Sequence, residues 1–133
     1  MTDFSITKQV TGEKIDTRWR AQRHGQEVTI PGTLDPAAFA GVVAKGAIVP
    51  SGTALSKLTG KRYGPFKPGA AEGAPGHTLD GYLNDDSGVV LTDQATCAVL
   101  KHGVIEIAYL PIAAQRAAVA TAEFTGSFIY IED

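Results

Sequence analysis

The sequence predicts a mainly β domain of the α+β kind, with short helices and an extended N-terminal arm. Three observations carry this. Fifteen glycines and seven prolines in 133 residues punctuate the chain every few positions, which favours short strands and turns over long helices. Apolar residues alternate with polar ones in several short runs, the period of a strand. Residues 1–33 carry too few apolar side chains to build a core of their own, whereas residues 34–133 are rich in them.

The arm, 1–33, comes first. Phe4 and Ile6 alternate, as do Val28 and Ile30, and Val10, Ile15 and Trp19 are spaced among polar residues. Gly12, Gly25 and Pro31-Gly32 interrupt any longer element. The domain, 34–133, opens with Asp35-Pro36, a helix N-cap followed by proline at the first helical position. A short helix over Ala37 to Ala40 is expected, ended by Gly41 or Gly46. Ile48-Val49 lead into the turn Pro50-Ser51-Gly52. Thr53 to Leu58 reads as a strand, Thr59-Gly60-Lys61 as a tight turn, and Arg62 to Phe66 as the returning strand of a hairpin. Residues 67–78, with Pro68-Gly69 and Pro75-Gly76, form a surface loop.

Short strands follow at Thr78 to Leu83, Val89 to Leu91 and Ala95 to Lys101, with a polar turn at Asn84 to Gly88. The run from Val104 to Leu110 is the strongest strand pattern. Pro111 breaks it and can open a helix through Ile112 to Ala120, where the alanines favour helix. Ser127 to Ile131 alternates and closes the chain as a strand.

Length and composition fit one folded domain, with 44% hydrophobic and 20% charged residues. Net charge is −2, so no general basic field draws in nucleic acid. Residues 1–33 hold five Lys/Arg against four Asp/Glu, and the remainder seven against ten; neither half is a nucleic-acid tail. The single cysteine, Cys97, lies in an apolar run and reads as a small buried hydrophobe, so no internal disulfide forms. No basic-then-apolar leader marks a signal peptide, and no apolar run nears the ~20 residues of a membrane span.

Chemistry is sparse. His24, His77 and His102 have no metal-ligand spacing, so neither metal nor cofactor is expected. Asp85-Asp86 lack the alternation of a calcium loop and read as a solvated turn. Gly60-Lys61 is followed by Arg62 where a phosphate loop needs Ser or Thr. Ser51 in its turn, approached by a histidine, is the one conceivable nucleophile, without the usual glycine elbow. Arg18, Trp19, Arg20 and Arg23 form a basic and aromatic cluster. It could stack bases, but with Glu13, Asp16 and Glu27 beside it a protein interface is the better reading.

The stretch Leu34 to Leu110 resembles the lambda-type head decoration proteins of tailed phages. The resemblance is carried by Ile48-Val49-Pro50-Ser51-Gly52-Thr53-Ala54-Leu55 and Leu58-Thr59-Gly60-Lys61-Arg62-Tyr63-Gly64-Pro65-Phe66. It continues in Gly69 to Gly73, Gly81-Tyr82-Leu83, and His102-Gly103-Val104 leading to Leu110-Pro111. It implies a compact β-tulip-like domain and a non-enzymatic virion protein, made in the host cytoplasm and placed on the outer capsid surface. It implies homotrimers at three-fold and quasi-three-fold positions, the major capsid protein as partner, and contact through the N-terminal segment. On that basis Phe4, Ile6, Val10, Ile15 and Trp19 are expected to fill pockets on the major capsid protein, with Arg18, Arg20 and Arg23 meeting acidic groups. The alternatives are another phage structural β protein, of tail or baseplate, and a small hydrolase using Ser51.

Overall fold

The computed structural model describes residues 16–22, 25 and 27–132. Its strands are β1 (Thr29–Leu34), β2 (Ile48–Val49), β3 (Ala54–Lys57), β4 (Arg62–Pro65), β5 (Gly81–Leu83), β6 (Val89–Val90), β7 (Ala95–Leu100), β8 (His102–Glu106) and β9 (Ser127–Ile131). One helix, α1 (Ala113–Arg116), lies between β8 and β9, with single 3-10 turns at Ile107–Tyr109 and Val119–Thr121. The protein is mainly β, as its glycine punctuation and alternation predict.

Five strands close a small barrel in the order β1-β4-β3-β5-β7, with β7 pairing back along all six residues of β1. The expected hairpin is β3–β4, with Leu55 opposite Pro65 and Lys57 opposite Tyr63. β2 and β6 form a separate antiparallel pair, and β8 and β9 a parallel one.

Strand alternation divides the apolar residues between two cores. Leu34, Leu55, Tyr63, Leu83 and the set Ala95, Cys97 and Val99 come one face from each barrel strand and fill the barrel. Their immediate neighbours Ala54, Tyr82 and Leu100 point the other way, out of the barrel wall. There they meet Trp19, Phe66, Leu79, Ile105, Leu110 and Val119 in a second core. Phe128 and Tyr130 of β9 pack against that core from outside. Gln115 of α1 is buried within this layer. Its amide donates to the Ala54 and Phe66 carbonyls and its oxygen accepts from the Ala54 N–H, so one side chain ties β3 to Phe66 beside the backbone bond from the Phe66 N–H to the Ala54 carbonyl.

Four sequence expectations need correction. The boundary between residues 33 and 34 is not a structural break: β1 crosses it inside the barrel, and Trp19 is fully buried. The expected helix at 37–40 is a series of i→i+3 turns, begun by the Asp35 carboxylate accepting from Ala37 N–H. Phe39 is drawn from those turns into the barrel core, and Gly41 at φ +84° leaves the helical region; a helix this short also bears a nucleation cost it cannot recover. The strand read over 104–110 stops at Glu106, where the chain winds into the first 3-10 turn. The helix read over 112–120 shrinks to α1 and the second 3-10 turn, with Gln115 and Val119 both buried.

Candidate functional site

The first described segment is built into the domain. Residues 19–21 run antiparallel to β8 on the edge opposite β9: the Glu106 N–H donates to Trp19 O (2.8 Å) and the Ala21 N–H to Val104 O (3.0 Å), with Arg20 bridging Ile105. Alternation along this short piece sends Trp19 inward. Its ring stacks on Tyr82 with centroids 5.8 Å apart, and its Nε1–H donates to the buried Ser51 Oγ at 3.0 Å. Gly52, at φ +89°, lets the backbone lie flat on the indole; a Cβ there would sit 2.7 Å from the ring.

Arg20 points the other way but is not free for a partner. Its guanidinium lies 5.1 Å from the Trp19 ring, donates to Asn84 Oδ1 at 2.5 Å and forms an ion pair with Asp86. It ties the segment to the turn between β5 and β6.

Where the segment begins, a cleft of about 260 Å³ opens between Asp16, Arg18, Ile48, Asp86, Tyr109 and Arg116. The Arg18 guanidinium stands 4.2 Å above the Tyr109 ring and forms a fork with the Asp16 carboxylate at 2.8 and 3.0 Å. That fork, with the Arg18 N–H, holds the Asp16 carboxyl down at about 2. Apolar surface adjoins it. Tyr109 is 41% exposed, and Ile48 faces the half-exposed Val90 across β2–β6. A mixed apolar and charged surface of this kind suits protein contact.

Of the residues expected to bind the capsid protein, Arg18 lies on this cleft. Trp19 does not reach out: it is a core residue, which corrects its reading as a pocket-filling anchor. Arg20 is engaged within its own domain. Phe4, Ile6, Val10, Ile15 and Arg23 lie outside the described residues. Tyr109, Ile48 and Val90 were not singled out as contact residues by sequence: Tyr109 and Val90 sat in runs read only as strand, and Ile48 in the pair leading into the Pro50-Ser51-Gly52 turn. Ser51 uses its oxygen to hold Trp19 and is 7% exposed, a structural pin in the place where a nucleophile was considered.

The other groups weighed for chemistry are also in structural positions. Burial pushes the Cys97 thiol up to about 12. His77 bridges the Ala70 carbonyl (2.8 Å) and the Glu123 carboxylate (2.9 Å), fastening the Gly/Pro loop. Gly25 packs against His102. Among the described residues no group of three His, Cys, Asp or Glu side chains could hold a metal ion, and no helix is long and apolar enough to cross a membrane.

No family model, no curated protein and no solved structure matches the chain.

Proposed function

We propose that this chain is a structural virion protein that decorates and stabilises the mature head of a tailed phage, bound to the major capsid protein on the outer surface as trimers at three-fold and quasi-three-fold positions. The reading rests first on the resemblance carried by residues 48–55, 58–66, 69–73, 81–83 and 102–111. Those residues make the barrel hairpin, the pin beneath Trp19 and the second core, so the motif residues are ones on which the domain is built.

The observation that carries it furthest is the seat of the first segment. Trp19, Arg20 and the strand pairing with β8 fix residues 19–21 rigidly, and Asp16 lies on the rim of the mixed cleft. The leader, with Phe4, Ile6, Val10 and Ile15, therefore joins the domain at a fixed point beside exposed Tyr109, Ile48 and Val90. A leader with alternating apolar residues can add a strand to an exposed sheet edge of the shell protein, with backbone hydrogen bonds supplying affinity. Three leaders on one trimer gain avidity. Binding only the assembled shell stabilises that state by mass action, which is what reinforcement requires.

The test is co-sedimentation with expanded, undecorated capsids of the source phage. Saturable binding by the full-length chain, lost from a chain starting at Asp16, is the expected result. The truncation belongs at 16 because one at 34 would remove Trp19 and β1 and unfold the barrel. Failure of the full-length chain to bind would overturn the proposal.

A further inference from the structure

β9 is the outer strand of a three-stranded layer made of residues 19–21, β8 and β9. The Ser127 N–H donates to the Lys101 carbonyl at 2.9 Å, and the register continues with Val104 opposite Ile129 and Glu106 opposite Ile131. In a parallel ladder the residues that bond one neighbour alternate with those whose N–H and C=O face the other side. Ser127, Ile129 and Ile131 therefore bond β8, and Phe128 and Tyr130 turn their backbone groups to the open edge. Among the described residues that edge has no strand partner.

Native edges are commonly blunted by charge, proline or a bulge. This one, Ser127-Phe128-Ile129-Tyr130-Ile131, has no charged residue and no proline, and its register with β8 runs without a bulge. Phe128 and Tyr130 send their side chains onto Tyr82, the first edge-on at 5.0 Å and the second by a 2.8 Å hydroxyl contact. Ile129 projects from the opposite face and is 65% exposed.

The strand is also symmetric in character about Ile129: an aromatic residue stands on either side of it. Laid antiparallel on itself, it places Phe128 opposite Tyr130 of the second copy and Ile129 opposite Ile129. The two aromatic positions are those whose backbone groups face outward, so they form the hydrogen-bonded pairs. Ile129 then falls at the close, non-hydrogen-bonded position. Aromatic and β-branched pairs are the favourable cross-strand combinations. Register, backbone direction and side-chain type thus agree on one arrangement, an isologous one.

We propose that the outer edge of β9 pairs antiparallel with β9 of a second copy across a two-fold axis through Ile129. The patch is a single short strand, below the size of a stable standard interface, so the association is weak and concentration-dependent. It does not rest on the capsid reading.

Sedimentation velocity of the full chain over a rising concentration series tests it. The expected result is reversible dimerisation, weakened about tenfold or more by Ile129→Lys, which sets like charges directly opposite one another. Ile129 is exposed, and an unchanged thermal melt of the variant checks that the fold is kept. Ile129→Cys supplies a second readout. A non-hydrogen-bonded antiparallel pair brings Cα atoms to about 4.5 Å, within disulfide range, so mild oxidation should give a covalent dimer faster than Thr92→Cys, an exposed control. A monomer throughout the series, self-association undiminished by Ile129→Lys, or equal cross-linking of the two cysteine variants would each overturn the proposal.

Discussion

Trp19 and Ser51, 32 positions apart in sequence, meet inside the protein, where the indole Nε1–H donates a 3.0 Å hydrogen bond to the serine oxygen. The contact fastens the first described segment to the turn between β2 and β3. Trp19 is therefore a stability residue. Trp19→Ala should cost about 3–5 kcal/mol and lower Tm by more than about 10 °C, read by calorimetry. Trp19→Phe should retain most of the packing and lose mainly the hydrogen bond. Trp19 is the only tryptophan, so native fluorescence should be blue-shifted and shielded from iodide.

Gly52→Ala tests the same contact from the other side. A methyl group there would need an unfavourable positive φ and would run into the Trp19 ring. A loss of at least about 2 kcal/mol is expected from strain and displaced packing together, measured by urea unfolding. An unchanged midpoint would mean that the indole does not lie on this turn.

Gln115 should be the least replaceable polar residue. Gln115→Leu leaves the Ala54 N–H and the Phe66 carbonyl without this partner inside the protein, a cost of about 3 kcal/mol. Gln115→Glu keeps the shape but turns a carboxylate toward the Ala54 and Phe66 carbonyls. Burial and those carbonyls raise its folded pKa, so this variant should recover stability as pH falls and the carboxyl becomes a donor. Denaturant midpoints at acid and neutral pH distinguish the two variants.

His77 gives the Gly/Pro loop a pH dependence. The Ala70 carbonyl, and after it the Glu123 carboxylate, raise its pKa above the ordinary 6.5. Only the protonated ring donates from both nitrogens at once. Its stabilising contribution is therefore complete below the unfolded value and is lost as pH rises through the higher folded one. Amide exchange around residues 70–77, corrected for intrinsic rate, should be slower at acid than at alkaline pH. His77→Gln should abolish the difference, and an NMR titration should place the folded pKa above 6.5.

Cys97 should be silent toward thiol reagents at pH 8 in the native protein, since the thiolate is the reactive form and burial holds the group near 12. Stoichiometric reaction should appear only on unfolding. Fast native labelling would show that the barrel opens at β7.

Part of this architecture is local and could be read from the chain. The β3–β4 hairpin follows from Thr59-Gly60-Lys61 between two apolar runs, and β9 from the aromatic and β-branched run at Phe128 to Ile131. The burial of Cys97 follows from its apolar neighbours. Trp19 could not be placed in the same way. Its inward turn is set by pairing with β8 some 85 residues later, and locally it appears as one aromatic between two arginines. The cleft is equally non-local, since Ile48 and Tyr109 are brought together only when β2 and the first 3-10 turn have packed. The missing helix after Pro36 shows the reverse case: a correct local signal, with Asp35 capping Ala37, gives way to the requirement that Phe39 enter the barrel.

The pairing of β1 with β7 has a consequence for synthesis. The strand at residues 29–34 leaves the ribosome well before its six-residue partner, which ends at Leu100. The barrel cannot close until β7 has emerged, and Trp19 must wait longer still for the layer formed by β8 and β9. Through that interval the nascent protein carries an unsheltered indole and an open strand.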